Sequence, residues 1–290
     1  MQQRKNNPSR YVLVTPCKNE AKHLGRVIES VVRQEFKPLL WVIVNDGSTD
    51  NSLSIIKKYS SKFKWIKFIS LEGGARDLNS RYAEVCRSGF SFLENYSRKK
   101  PLKYSFVGLM DADIVLDKNY FKGIVSRMQE DRSIGVASGG VFYYNKGVLE
   151  YEYRHESHPR GAARLWRKNV FWETGGFADS PAPDTVSNIK IRMKGWKLKQ
   201  FRDLKAVQVR KTSSAQGLWK GYASMGAANH YLHVNFFLAL LKSAKHFFRF
   251  PFYTGAAFFY GYALAFVKGR EKIEDKDVKL YNRKRITRNG

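Results

Sequence analysis

Short apolar runs alternate with amphipathic segments through the first part of this chain. The apolar side chains of each run stand at successive positions, which is typical of a strand covered by helices on both faces. These runs are residues 11–15, 39–44, 65–71 and 104–113. After the first run, Leu24, Ile28 and Val31 recur at helical spacing, which predicts a helix over residues 21–34. Strands that alternate with helices form a parallel sheet, so the sequence predicts an α/β fold.

Polar clusters follow three of these four runs. They occupy residues 16–20, 45–50 and 111–113, and each contains a carboxylate. Because ligands of such sheets bind outside the carboxyl ends of the strands, the topology would gather the clusters along one edge. The last cluster holds Asp111 and Asp113, which point the same way on an extended chain and offer the oxygen ligands that hard cations prefer. The sequence thus predicts a metal and nucleotide site at this edge, although the D-x-D tripeptide alone is also compatible with a solvated turn.

Phosphate binding would have to use something other than a glycine-rich loop. The first strand is not followed by G-x-G-x-x-G, and no G-K-[ST] loop is present. A divalent metal surrounded by basic side chains is the remaining means of holding two phosphates.

Three motifs together resemble one enzyme family. They are P-C-K-N-E at 16–20, V-I-V-N-D-G-S-T-D-N-S at 42–52 and D-A-D at 111–113. In this order and spacing they look like the inverting family 2 glycosyltransferases with the GT-A fold. The similarity continues through G-A-A-R-L-W-R-K at 161–168 and G-G-F at 175–177. The resemblance implies a Rossmann-like, mostly parallel sheet flanked by helices, and transfer of a sugar from a nucleoside diphosphate sugar donor to a hydroxyl acceptor.

The resemblance also assigns roles to particular residues of the nucleotide site. Pro16 and Glu20 would lie near the base, and Asp46 would accept a hydrogen bond from a base N–H. Arg76 stands where the family often has a basic residue beside the base. Asp111 is assigned to the ribose.

The metal site implied by the resemblance is formed by the two aspartates of D-A-D. Asp113 would bind Mg²⁺ or Mn²⁺, and Asp111 would lie beside it. The metal would offset the charge of the diphosphate as it leaves.

An inverting transfer needs a base that removes the proton of the acceptor hydroxyl. The resemblance places Asp184 in this role, because family members carry Glu-Asp at the start of a helix. Pro183 stands where the family has Glu, which departs from the pattern. Asp184 is also a suitable N-cap for a helix that ends near Gly195, and the two roles are compatible.

Three basic residues precede this helix. Arg160, Arg164 and Lys168 could contact a phosphate or the acceptor, but the sequence favours a solvated basic face.

The chain carries a large excess of positive charge, with 52 basic against 25 acidic residues and a formal charge of +27. This charge predicts an anionic partner, without choosing among nucleic acid, a membrane surface and a phosphorylated substrate. Cys17 and Cys86 are too few for a disulfide framework, and the start of the chain lacks a secretory apolar region. We therefore expect a reducing, cytoplasmic setting.

The composition after residue 216 shifts to aromatic and apolar residues interrupted by basic ones. Residues 250–267 carry no charge, and their number is at the short end of the ~20 that a membrane-spanning helix needs. Residues 232–241 are too few to span and suit an interfacial segment. This pattern favours association with an anionic membrane over a helix buried in the protein. It predicts a location at the cytoplasmic face of the membrane and is compatible with a lipid-linked acceptor.

The predicted organisation has four parts: a polar tail (1–10), a GT-A catalytic domain (11–215), a membrane-associating helical segment (216–267) and a basic charged tail (268–290). One alternative is a nucleic-acid-binding protein, against which the chain has no recognisable nucleic-acid motif. A sugar-1-phosphate nucleotidylyltransferase is another, but its glycine-rich signature is missing. Pro183 also leaves open a non-catalytic relative.

Overall fold

The computed structural model of the chain describes residues 10–73, 81–153, 155–209, 217–248 and 250–287. The strands within these ranges are β1 (Tyr11–Cys17), β2 (Leu40–Asp46), β3 (Ile66–Leu71), β4 (Phe106–Met110), β5 (Ile114–Leu116), β6 (Ile134–Asn145), β7 (Val148–Tyr151), β8 (Ala163–Arg167) and β9 (Lys197–Gln208). The helices there are α1 (Ala21–Val32), α2 (Ser52–Lys62), α3 (Arg81–Lys99), α4 (Tyr120–Glu130), α5 (Lys168–Glu173), α6 (Pro183–Met193), α7 (Leu218–Tyr231), α8 (Phe236–Phe247), α9 (Tyr253–Val267) and α10 (Lys276–Thr287).

The strands form one twisted sheet in the order β3-β2-β1-β4-β8-β6-β9-β5, with β7 paired to β6. The first four strands of this order are parallel, as alternating strands and helices predict. β8 is antiparallel to both of its neighbours, and β9 is parallel to β6. The predicted α/β architecture is confirmed, and the antiparallel insertion of β8 adds to it.

The central strands bury side chains on both faces of the sheet. On β1, Tyr11 and Leu13 belong to one hydrophobic core, whereas Val12 and Val14 belong to the other. The first core lies under α1, α2 and α4, and the second lies under α3 and α5. Helix α3 approaches the sheet closely at Gly89, where a Cβ would lie 2.5 Å from Cγ1 of Val14. Alternate side chains of an extended strand point to opposite faces, which explains why these strands are apolar at every position.

Two predicted strands differ from the observed ones at their ends. β1 continues through Pro16 to Cys17, and Pro16 is level with Val44 of β2. Because β4 pairs with β1 only as far as Val14, one side of β1 has no partner strand at Pro16. A residue without an N–H is compatible with a strand at such a position. The predicted strand over residues 104–113 is shorter than expected, since β4 ends at Met110 and residues 111–113 turn into β5.

The C-terminal helices α7 and α9 touch backbone to backbone. A Cβ on Gly226 would lie 1.9 Å from the carbonyl oxygen of Phe258, and one on Gly261 would lie 1.9 Å from that of Ala223. Gly255 similarly lets α9 approach α8. Small residues at these crossings permit the close packing of the helices. In the part of the chain that the structure describes, we find no helix with the length and apolar character needed to cross a membrane.

The C-terminal helices are attached to the sheet domain through α6. Val186 and Ile189 of α6 share a third hydrophobic core with residues of α9 and α10 and of the α7–α8 connection. The ammonium of Lys190 lies 3.0 Å from the carboxylate of Asp275, just before α10. The guanidinium of Arg192 donates to the hydroxyl of Tyr281 on α10 at 3.1 Å. These contacts hold the helix that carries Asp184 between the two regions.

Candidate active site

The loops that follow β1 and β2 are joined by hydrogen bonds at one edge of the sheet. The backbone N–H of Asn19 donates to the hydroxyl of Ser48 at 3.0 Å, and the side chain of Asn19 accepts from the N–H of Thr49 at 2.8 Å. The backbone N–H of Ala21 donates to the carboxylate of Asp50 at 2.9 Å. The prediction that the strand topology gathers these polar clusters is confirmed for the first two.

Asp46 lies at the end of β2 with basic groups on both of its carboxylate oxygens. Its Oδ2 is 3.1 Å from the ammonium of Lys18, and its Oδ1 accepts a hydrogen bond from Nε of Arg81 at 2.9 Å. Sequence reasoning named Arg76 as the basic residue near the base, but Arg76 lies outside the described residues. Arg81 was missed. The signal that could have identified it is its place at the start of the helix after β3, where the chain returns towards the strand ends.

Asp111 follows β4 directly and is fixed by its backbone and its side chain. Its N–H donates to the carbonyl of Ala162 at 2.8 Å, and its Oδ1 accepts from the hydroxyl of Tyr82 at 3.0 Å. Tyr82 and Arg81 are consecutive residues of α3, so the first turn of this helix contacts both Asp111 and Asp46. The third polar cluster is thereby connected to the second.

Asp113 occupies a different environment from Asp111. It is buried, and its carboxylate accepts a hydrogen bond from the side-chain amide of Gln208 at 3.3 Å. The two aspartates flank a turn, and the extended geometry on which the sequence prediction rested is wrong. The role of the pair in binding a metal stays a prediction.

Asp184 is the second residue of α6 and does not cap it. Ala182 is the N-cap residue, and Pro183 occupies the first helical position, where a missing N–H costs nothing and the fixed φ suits a helix. The N-cap interpretation of Asp184 is therefore wrong. Its charge still lies in the first turn, where the helix dipole favours an acid.

One oxygen of Asp184 has no hydrogen-bond partner among the described residues. This atom, Oδ1, is buried and lies 3.5 Å from the guanidinium of Arg164 without hydrogen-bond geometry. The other oxygen lies over Gly161, where a Cβ would be only 1.8 Å away. Glycine at 161 therefore makes room for the carboxylate.

Arg164 is buried, contrary to the solvated face favoured by the sequence. Its exposed fraction is 1%, and its Nε donates to the carbonyl of Arg160 at 2.9 Å. It also donates to the side chain of Asn188 on α6 at 3.3 Å. A buried cation requires charge and hydrogen-bond partners, and Arg164 finds them beside Asp184. Arg160 itself forms an ion pair of 2.7 Å with Glu152, and Lys168 lies over the ring of Tyr104.

The electrostatics of this region are dominated by neighbouring carboxylates. Burial, together with the negative charges of Asp113 and Asp184, raises the pKa of Asp111 to about 7, and Arg164 opposes this shift. Burial also raises the pKa of Tyr82 well above its usual value. Three acidic groups thus share a small region with one buried cation.

A cleft of about 420 Å³ opens over these groups. Asp111, Asp184 and Arg164 line it, together with Gly161 and Asn188. Of the predicted site residues, the structure brings Asp111 and Asp184 to this cleft. Asp46 and Glu20 are buried at the neighbouring strand ends, and Pro16 is part of β1. Their predicted roles towards a nucleotide base stay predictions.

The carboxylates of Asp111 and Asp113 could hold a divalent cation only if a bound substrate and water supply its remaining ligands. Among the described residues, no group of three or more His, Cys, Asp or Glu side chains could hold a metal ion alone. Mg²⁺ is commonly bound by one or two carboxylates together with substrate phosphates and water. Burial first, and then the charges of Asp113 and Asp184, raise the pKa of Asp111, and a cation bound beside it would oppose this shift. Asp111 and Asp113 therefore fit the protein's share of such a site.

Comparison with known sequences places the first part of the chain in a family. A family profile described as Glycosyl transferase family 2 matches residues 12–183, more than half of the chain. The poly-beta-1,6-N-acetyl-D-glucosamine synthase of Staphylococcus aureus (strain COL) is 22% identical in an alignment of 261 residues that covers 82% of this chain and 58% of the synthase. The chain thus spans little more than half the length of that relative.

Solved structures resemble the fold of the chain. The fragment 1–349 of Staphylococcus aureus TarS in complex with UDP-GlcNAc has a TM-score of 0.56 and 17% identity, covering 82% of this chain and 72% of the fragment. The mannosyltransferase PcManGT from Pyrobaculum calidifontis, in complex with GDP-Man and Mn²⁺, also has a TM-score of 0.56, with 13% identity over 96% of this chain and 80% of its own. At these identities the likeness concerns the fold.

Proposed function

Since the chain belongs to glycosyl transferase family 2, we propose that it transfers a sugar, with inversion, from a nucleoside diphosphate sugar to a hydroxyl acceptor. The observation that carries the proposal is the cleft that Asp184 and Asp111 line together, with the guanidinium of Arg164 3.5 Å from Oδ1 of Asp184. The side chain of Asp184 is 35% exposed, so a hydroxyl group of a bound substrate can approach its carboxylate from the cleft. The family favours this reading over the nucleic-acid and nucleotidylyltransferase alternatives.

Asp184 acts as the general base in this proposal. The acceptor oxygen forms a bond to the anomeric carbon, the bond from that carbon to the diphosphate breaks, and the hydroxyl proton passes to the carboxylate of Asp184. Arg164 positions this carboxylate, because it lies 3.5 Å away and is held by the carbonyl of Arg160 and by Asn188. Pro183 begins the helix and leaves Asp184 in its first turn, so its presence in place of Glu is compatible with catalysis.

The donor would lie along the edge formed by the ends of β1, β2 and β4. Asp46 would accept from the base, with Lys18 and Arg81 setting the direction of its carboxylate. Pro16 and Glu20 would border the base, and Asp111 would bind the ribose. A bound Mg²⁺ or Mn²⁺ would neutralise charge on the departing diphosphate, and Asp111 and Asp113 would hold it. UDP-N-acetylglucosamine is the first donor to test, because one structural neighbour binds it.

We further propose that the C-terminal helices dock on an anionic membrane surface at its cytoplasmic face. Exposed apolar side chains are concentrated on α8 and α9 and between them, including Phe237, Phe248, Phe250 and Phe266. Exposed basic residues, among them Lys268, continue from the same helices. Aromatic rings beside basic groups suit the headgroup boundary of a bilayer. Such docking would bring the cleft near a lipid-linked acceptor.

Release of nucleoside diphosphate tests the transferase. Purified protein in mild detergent would be supplied with UDP-, GDP- and dTDP-sugars, with Mn²⁺ or with EDTA. We expect metal-dependent release from one donor and its loss in Asp113→Ala. Asp117→Ala, an exposed aspartate four residues further on, is the matched control and should keep full release. Absence of release and of nucleotide binding across the panel would overturn the proposal.

A further inference from the structure

The hydroxyl of Tyr82 engages one of the two carboxylate oxygens of Asp111. It donates a hydrogen bond to Oδ1 at 3.0 Å. A phenol keeps its proton at neutral pH, whereas an ionised carboxylate only accepts hydrogen bonds, so the direction of this bond is settled by the two groups. Asp111 therefore lines the cleft with Oδ1 already occupied.

The side chain of Asp111 depends on this bond for its orientation. The backbone N–H of Asp111 donates to the carbonyl of Ala162, which fixes the main chain but leaves rotation about the side-chain bonds free. In the part of the chain that the structure describes, the carboxylate receives its one hydrogen bond from Tyr82. Without that bond, the carboxylate would sample other rotamers before a ligand binds.

The ring of Tyr82 is itself held by the hydrophobic core. Phe177 packs edge-on against it, with the ring centroids 6.2 Å apart. Phe177 is buried and also contacts Phe90 and Trp166, which belong to the core under α3 and α5. The hydroxyl is therefore attached to a rigid part of the fold, as precise orientation of a neighbouring group requires.

Two glycines bring Phe177 to this place. Gly175 and Gly176 have φ angles of 87° and 71°, which residues with a Cβ rarely adopt. They end α5 and redirect the chain, and Phe177 follows them directly. The G-G-F sequence at 175–177 thus supports the ring that holds Asp111.

We propose that Tyr82 is a positioning residue for the nucleotide sugar donor, because it holds Oδ1 of Asp111 and leaves Oδ2 for the donor. The proposal rests on the transferase function and adds a residue to it. Tyr82 is not among the residues that line the cleft, so it acts through Asp111 and not by touching the substrate. A carboxylate that is already oriented loses less conformational freedom when the donor binds, which strengthens binding.

Steady-state kinetics of Tyr82→Phe test the assignment. This variant keeps the ring and its packing and removes only the hydroxyl. The KM for the donor should rise about tenfold, because a hydrogen bond to a charged group is lost, whereas kcat should stay close to the wild-type value. A purely structural role would instead reduce the amount of active enzyme, which lowers kcat and leaves KM unchanged.

A binding measurement makes the test independent of turnover. Calorimetry with uridine diphosphate and with guanosine diphosphate, in the absence of metal, should show about the same tenfold loss of affinity in Tyr82→Phe for the nucleotide that the wild type binds. Tyr96→Phe is the matched control, since Tyr96 is on the same helix, packs against Phe92 and does not line the cleft. Its donor KM and nucleotide affinity should equal those of the wild type.

A second variant tests the support of the ring. Phe177→Leu keeps the hydroxyl of Tyr82 but removes the aromatic contact, so the donor KM should rise by a smaller factor while thermal unfolding stays cooperative. Unchanged donor KM and nucleotide affinity in Tyr82→Phe, or a fall in kcat alone, would overturn the positioning role and leave the transferase function intact. If nucleotide affinity depends on the hydroxyl but no sugar is transferred, the transferase function falls and the positioning role stands. Absence of nucleotide binding by the wild type would overturn both.

Discussion

The sheet domain and the C-terminal helices use apolar residues in opposite ways. β1 and β2 bury nearly all of theirs, and the buried carboxylates of Glu20 and Asp46 lie where these strands end. On α8 and α9 and between them, large apolar side chains remain exposed, with Phe248 82% exposed and Phe250 87%. Burial of an apolar side chain stabilises a protein by about 1.5–3 kcal/mol relative to exposure, so such a surface indicates a partner that covers it. The proposed catalytic site and the proposed docking surface therefore lie in different parts of the chain, and these parts meet at α6.

The largest expected effect is on the rate of sugar transfer, which depends on the proposed catalytic site of the sheet domain. Asp184→Asn keeps the shape of the side chain and removes its basicity, so transfer should slow about a thousandfold, within the range of general base catalysis. Nucleotide binding should be unchanged, and steady-state rates with calorimetry would measure both. Asp179→Asn is the matched control, because Asp179 is an exposed carboxylate paired with Arg87 shortly before α6. Full activity in Asp184→Asn would show that Asp184 is not the general base.

A smaller effect should follow from Gly161→Ala. The added Cβ would lie 1.8 Å from Oδ2 of Asp184, so the carboxylate must move. Misplacement of a catalytic group by about 1 Å costs about a hundredfold in rate. Gly25→Ala, at a helical site with no atom within 4 Å of the added Cβ, should keep the wild-type rate. Equal rates for both variants would mean that the position of Asp184 is not critical.

Variants of the exposed apolar surface of the C-terminal helices should change membrane binding without changing nucleotide release. The double variant Phe237→Ser, Phe248→Ser removes apolar contacts worth about 2 kcal/mol together, so its binding to phosphatidylglycerol-containing vesicles should fall about thirtyfold. Nucleotide release in detergent should be unaffected. Tyr144→Ser removes an aromatic ring that is 62% exposed on the sheet domain, and it should bind vesicles as the wild type does. Unchanged vesicle binding by the double variant would show that the surface around Phe237 and Phe248 does not bind the membrane.

The smallest effect concerns pH and the packing of the helical region. His230 is buried between the rings of Tyr262 and Phe266, and burial lowers its pKa, with Lys272, His233 and Arg270 adding to the effect. Below the unfolded-state pKa of about 6.5 the unfolded chain binds the proton more readily, so stability is lost as pH falls through that value and is constant above it. Thermal unfolding at pH 8 and pH 5.5, followed by hydrogen exchange in α7, would measure this loss.

His230→Phe is the variant that tests this assignment. It should reduce the pH dependence of α7, whereas His155→Phe, at an exposed site on the sheet domain, should not. Equal pH dependence in the wild type and His230→Phe would exclude His230 as its source.

The sequence predicted the parts of this protein that depend on local pattern. Runs of successive apolar residues identified the buried strands, and helical spacing identified α1, because these periodicities follow directly from backbone geometry. The motifs at 16–20, 42–52 and 111–113 identified the family for the same reason: their residues are close in the chain. Pro183 is a residue favoured at the first position of a helix, but it was interpreted only as a replacement of the Glu that the family has there.

The tertiary structure decided what depends on distant residues. Arg164 is basic and lies in a glycine-rich stretch, yet its burial beside Asp184 follows from the insertion of antiparallel β8 between β4 and β6. Arg81 reaches Asp46 because α3 returns to the edge formed by β2. Local periodicity fixes which residues form a strand or helix, but contacts between elements depend on packing that only the folded chain defines.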